Sequence, residues 1–169
     1  MPSQRGGTES LEADRVSAGK ERVVFYLDDL HVGQRFTSGT HVITADEIKA
    51  FARQFDPQPF HLDEATAKDT LFGGLVASGW HTAAITMRLL VESGLPLAGG
   101  IIGAGGEMAW PNPTRPGDTL QVESEVLELK PSRSRPDRGI ATVRCLTRNQ
   151  HGEVVQSLTP KLVVPRRGA

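Results

Sequence analysis

At 169 residues the chain can bury one substantial core, and its net charge of -1 gives no field that would draw it to nucleic acid or an anionic membrane surface. The single cysteine, Cys145, excludes an intramolecular disulfide and a cysteine zinc site, and no stretch approaches the roughly 20 apolar residues of a membrane span. The polar start MPSQRGGTES has no signal-peptide core, so the expectation is a soluble, cytoplasmic protein.

Residues 1–21 are rich in Gly, Ser, Glu and Arg, and are expected to form a disordered tail before a domain over 22–165. VVFYL, Val23 to Leu27, reads as a short strand, and Phe36 to Ile43 as a second. Thr44 with Glu47 makes a capping box for a helix whose apolar face carries Ile48, Phe51, Ala52 and Phe55, and Pro57 stops it. Asp63 caps a second, short helix in DEATAKDT. The segment from Trp80 to Glu92 is apolar nearly all round, which predicts a buried helix ended by Gly94 and Pro96. The rest is β: Ile101 to Trp110, then three segments alternating with period two, LQVESEVLEL, IATVRCLTRN and EVVQSLTPKLVV. Helices first and long strands after predict an α+β fold, a sheet with one face around a single helix.

FDPQPFHLD, Phe55 to Asp63, lies between the first two helices. Pro57 and Pro59 restrict it, so the carboxylate of Asp56 and the imidazole of His61 can converge with little entropy left to lose. Such a pair around one water can take a proton and return it, as hydration of an activated double bond requires. By residue type alone, a capping Asp and a filler His would look the same. Farther on, Ser78 and Gly79 precede the apolar helix, whose first N–H groups lack internal partners. Gly79 leaves room for a carbonyl oxygen there, although an N-cap and close helix packing would also explain the pair.

Together DPQPFH, FGGLVASGWHTAAITMRLL and WPNPTRPGDTL resemble the MaoC-like dehydratase family, (R)-specific enoyl-CoA hydratases of the hot-dog fold. Asp56, Pro59 and His61 match its Asp-x-Asn-Pro-x-His motif, with Gln58 in place of the Asn. The resemblance implies a single hot-dog domain, an antiparallel sheet wrapped around a long central helix. It implies a homodimer with an acyl-CoA thioester along the subunit interface. It gives Asp56 and His61 the water and the Gly79 N–H the thioester carbonyl, with Gln58, Pro59, Phe60, Ser78 and Trp80 beside the substrate. The expected reaction is hydration of a trans-2-enoyl-CoA or its reversal, with no metal and no cofactor beyond the coenzyme A of the substrate. A thioesterase or a non-catalytic acyl-CoA-binding subunit on the same fold are the alternatives.

The remaining features read as structural. His81 is a packed histidine at a helix start, and His31, His41 and His151 lack metal-ligand spacing. GAGGE, Gly103 to Glu107, lacks the setting of a nucleotide loop and reads as a strand with close backbone packing. Lys130, Arg133, Arg135 and Arg138 form a basic loop, read as a solvated hairpin ahead of a coenzyme A phosphate site. Arg166 and Arg167, in the C-terminal end 166–169, are expected to fray.

Overall fold

Residues 23–168 are described by the computed structural model, so the expected tail at 1–21 lies outside the described residues. Five strands form one antiparallel sheet: β1 (Arg35–Val42), β2 (Gly103–Ala109), β3 (Thr119–Pro131), β4 (Arg138–Arg148) and β5 (Val154–Pro165), in the order β1-β3-β4-β5-β2. The central helix α4 (Gly79–Leu89) lies across its inner face and continues into a wider turn, Leu90–Gly94, closed by Leu95 N–H donating to Leu90 O at 2.9 Å. Three shorter helices, α1 (Ala45–Phe55), α2 (Pro59–Leu62) and α3 (Glu64–Lys68), link β1 to α4.

The period-two pattern sets the sheet's two faces. Ala141, Val143, Cys145 and Thr147 of β4 are fully buried, while Arg144 between them is exposed. Ile85, Thr86 and Leu89 of α4 are buried on the sheet side, and Thr86 Oγ1 meets Thr147 Oγ1 at 2.7 Å, so two buried hydroxyls satisfy each other. Leu120, Val122, Val126, Val155, Leu162 and Val164 complete the core. Each such side chain contributes roughly 1.5–3 kcal/mol by leaving water. The thiol of Cys145 is pushed up to about 11 by burial, which keeps it protonated and inert.

Three local expectations need correction. Only Phe25 of the expected Val23–Leu27 strand pairs, in an isolated parallel bridge to Leu97, and the chain then turns through a 3-10 helix at Leu27–Asp29. Arg166 and Arg167 do not fray: Arg166 donates to Asp28 at 2.7 and 2.9 Å, and Arg167 donates to Asp29 and stacks 4.6 Å over Tyr26. Finally, α4 is not buried all round. Trp80, Ala84 and Met87, spaced i, i+4, i+7, form an exposed apolar stripe.

Candidate active site

The α1 helix ends at Asp56, whose N–H donates to Ala52 O at 3.0 Å, and Pro57 prevents another turn. The segment read as a restricted loop then forms one helical turn, α2, because Pro59 sits at its first position, where a missing N–H costs nothing. That turn aims His61 inward, leaving it 5% exposed. Its Nδ1 lies 2.7 Å from Val76 O; a carbonyl only accepts, so Nδ1 carries the proton and Nε2 is left free. Nε2 stands 3.3 Å from Asp56 Oδ2.

Both oxygens of Asp56 are engaged. Gln58 Nε2 donates to Oδ1 at 2.7 Å, so the extra methylene relative to the motif's Asn lets the amide fold back onto the carboxylate. Ser78 Oγ donates to Oδ2 at 2.6 Å and also accepts from Trp80 N–H at 3.2 Å, which ties the carboxylate to the first turn of α4. Burial alone would raise the Asp56 carboxyl, but the hydrogen bonds from Ser78 and Gln58 hold it below its ordinary value, and a positive charge on His61, when it is protonated, acts in the same direction. Asp56 is therefore a fixed anion at neutral pH.

Gly79 opens α4, and its N–H finds no hydrogen-bond acceptor among the described residues. A Cβ at this position would lie 2.7 Å from Trp110 Cε2 and 2.8 Å from Cδ2, so the indole rests directly on the glycine. Asp56, His61, Gly79 and Trp110 line one cavity of about 450 Å³, with Thr82 and Val155 at its buried side. Gln58, Phe60 and Trp80 also line it, as expected. Pro59 and Ser78, expected beside the substrate, do not: Pro59 starts α2 and Ser78 is buried behind Asp56. Sequence reading missed Phe72, Trp110 and Thr114 as lining residues. Trp110 carried a signal in the aromatic-proline turn, but nothing in it pointed to Gly79.

The other singled-out residues stay apart from the cavity. His81 is 8% exposed and stacks on Phe51, ring centroids 4.5 Å apart and planes 3° from parallel. Burial pushes its imidazole below the ordinary value, against the pull of the Glu47 carboxylate. A histidine that resists protonation when folded contributes stability that is complete above about pH 6.5 and is lost as pH falls below it. His81→Phe keeps the stack and removes the titration. Its melting temperature is expected to fall less than that of wild type between about pH 7.5 and 5.5; equal falls in a two-pH melting experiment would contradict this. The basic loop spans the β3–β4 connection, at the far end of that ladder from the cavity, with Lys130 paired to Glu128 and Arg138 to Asp137. Gly103 to Glu107 fall in β2, where a Cβ on Gly106 would meet Thr159 O and Pro160 Cα at 2.7 Å. Among the described residues no cluster of three His, Cys, Asp or Glu side chains is placed to hold a metal ion.

A helix wrapped by a five-stranded antiparallel sheet, with a carboxylate–imidazole pair beside a free helix N-terminus, defines a hot-dog protein of the hydratase type. The MaoC like domain matches residues 30–149, and the chain belongs to the MaoC-like dehydratase family. A solved MaoC-like dehydratase from Rhodospirillum rubrum is 66% identical, with 86% of this chain and 99% of that one covered and a TM-score of 0.84. The (R)-hydratase from A. caviae involved in PHA biosynthesis is 32% identical, with 81% and 97% covered and a TM-score of 0.63. The 3-hydroxybutyryl-CoA dehydratase of Methylorubrum extorquens is 33% identical over 113 residues, which is 66% of this chain and 70% of that protein.

Proposed function

We propose that the protein adds water across the double bond of a trans-2-enoyl-CoA to give the (R)-3-hydroxyacyl-CoA, or runs the reverse dehydration. The observation that carries this reading is the 3.3 Å approach of His61 Nε2 to Asp56 Oδ2 in a cavity that Gly79, whose N–H has no acceptor among the described residues, also lines. Two acceptors this close share one water, which donates a hydrogen to each. The water oxygen attacks C3 while its proton passes to His61 Nε2. The C2–C3 electron pair moves toward the thioester oxygen, and the growing enolate accepts a hydrogen bond from Gly79 N–H. His61 Nε2–H then protonates C2 from the side on which the water sat, so one molecule of water is added to one face. Asp56, held by the hydrogen bonds from Gln58 and Ser78, stays an anion and stabilises the imidazolium between the two transfers. These steps use no metal and no cofactor beyond the coenzyme A that the substrate brings. A cytoplasmic location fits a chain whose one cysteine is a buried free thiol.

We read the working form as a homodimer. One edge of β2 pairs with β5, the other meets no described strand, and every residue of β2 is exposed. An open strand edge and the exposed Trp80, Ala84 and Met87 stripe are surfaces that pairing with a second copy about a two-fold axis would cover. Met87→Glu is expected to shift sedimentation from dimer to monomer and to lower activity with it; an unchanged dimer would remove this interface.

The functional reading is tested by mixing the protein with crotonyl-CoA. Loss of the conjugated thioester absorbance without thiol release supports it. Release of free coenzyme A would instead identify a thioesterase.

A further inference from the structure

We propose that Trp110, pinned by Gln156, is the specificity wall of the site and restricts bulk on the acyl carbon next to the thioester carbonyl. The proposal rests on the hydratase reading above. Its physical basis is the contact between the indole and Gly79, where an added Cβ would lie 2.7 Å from the ring. If the thioester oxygen docks on the Gly79 N–H, then C1 and C2 of the acyl group must run along the indole face. A hydrogen on C2 fits against a flat ring. A methyl on C2 requires the ring to move.

That movement is opposed from behind. Trp110 Nε1–H donates to Gln156 Oε1 at 2.9 Å. Gln156 is fully buried on the inner face of β5, although Trp110 itself is 41% exposed. Its amide has one sensible orientation, oxygen toward the indole N–H, and this leaves Nε2 buried with no hydrogen-bond partner among the described residues. An apolar residue would fill the same space without an orphaned donor, so packing alone does not account for a glutamine here. Holding the indole in one place does. Trp80 meets Trp110 edge-on, with centroids 5.5 Å apart and planes at 75°, and limits the ring on its outer side. Trp110 thus contacts Gly79, Gln156 and Trp80, and it lines the cavity that Asp56 and His61 share.

The test compares kcat/KM for crotonyl-CoA and 2-methylcrotonyl-CoA in wild type, Trp110→Ala and Gln156→Met. Wild type is expected to favour the unbranched substrate. Trp110→Ala should raise the branched-to-unbranched ratio about tenfold or more, mainly through KM for the branched thioester. Gln156→Met keeps the volume but releases the indole, and should move the ratio the same way by a smaller factor. Trp110→Phe, which keeps a ring without the N–H, serves in place of Trp110→Ala if the latter does not fold. A merely structural role would slow both substrates in parallel, and an unchanged ratio in folded variants overturns the proposal. The same ratio read by calorimetry as Kd for butyryl-CoA and 2-methylbutyryl-CoA needs no turnover. If wild type hydrates neither enoyl thioester, the hydratase reading fails while the Kd ratio still judges the wall. If wild type binds neither saturated thioester, both fail.

Discussion

Asp56→Asn is expected to abolish hydration, lowering kcat by about a thousandfold or more, the scale of neutralising the carboxylate that stabilises a catalytic imidazolium. The substitution preserves shape. Gln58 or Ser78 can still donate to the remaining amide oxygen, so the loss of hydrogen bonding should destabilise the fold by no more than about 1–2 kcal/mol. The variant should therefore keep its circular dichroism spectrum and still bind a saturated acyl-CoA. What it loses is the negative charge 3.3 Å from His61 Nε2, which holds the imidazolium after the water has given up its proton. Wild-type activity is expected to keep its Asp56 anion down to the acidic side of the ordinary carboxylate range, since the folded carboxyl sits below its usual value. The stability this carboxylate contributes is present above the unfolded pKa and is lost as pH falls through the folded one. Activity that survived Asp56→Asn would remove the carboxylate from the chemistry.

Gly79→Ala is expected to be nearly as damaging, for a steric reason. The new methyl would sit 2.7 Å from an indole that Gln156 holds in place. Either the start of α4 or the ring must shift by several tenths of an ångström, and overpacking of this kind costs roughly 1–3 kcal/mol. The larger effect falls on turnover, because the displaced N–H is the proposed donor to the enolate oxygen. Losing one such donor typically lowers kcat by about 10²–10³. Adding Trp110→Ala to Gly79→Ala removes the atoms the new methyl would strike, and should restore much of the stability and much of the turnover relative to Trp110→Ala alone. Comparing melting temperature and kcat across the single and double variants tests this, and a kcat that stayed low while the melting temperature recovered would mean that displacement of the N–H by the indole is not what limits turnover.

Much of this site was legible in the sequence because the informative contacts are local or lie on a strong periodicity. The capping box of Thr44 and Glu47 placed α1, and with it the position of Asp56 at the helix end. The period-two runs placed β3, β4 and β5 and predicted which face meets the helix. Asp56, His61 and Gly79, which the structure brings to one cavity, could be singled out as candidates because a proline-restricted segment and a glycine at a helix start leave marks in a few neighbouring residues. What escaped depends on pairs far apart in the chain. Trp110 and Gln156 are 46 residues apart, and Arg166 and Asp28 are 138 residues apart. No local pattern announces either contact. The exposed stripe on α4 was misread for a different reason. An all-round apolar helix has the same composition whether its second face meets its own core or, as we propose, another copy of the chain. The turn at α2 was missed because prolines that stop one helix also start the next.

The central claim is that Asp56 and His61 deliver one water to one face of an enoyl thioester. The most direct measurement is the product formed from crotonyl-CoA by wild type and by His61→Ala, resolved on a chiral column. The account predicts (R)-3-hydroxybutyryl-CoA from wild type and none above background from the variant. An (S) or racemic product, or the same (R) product at an undiminished rate from His61→Ala, would contradict it.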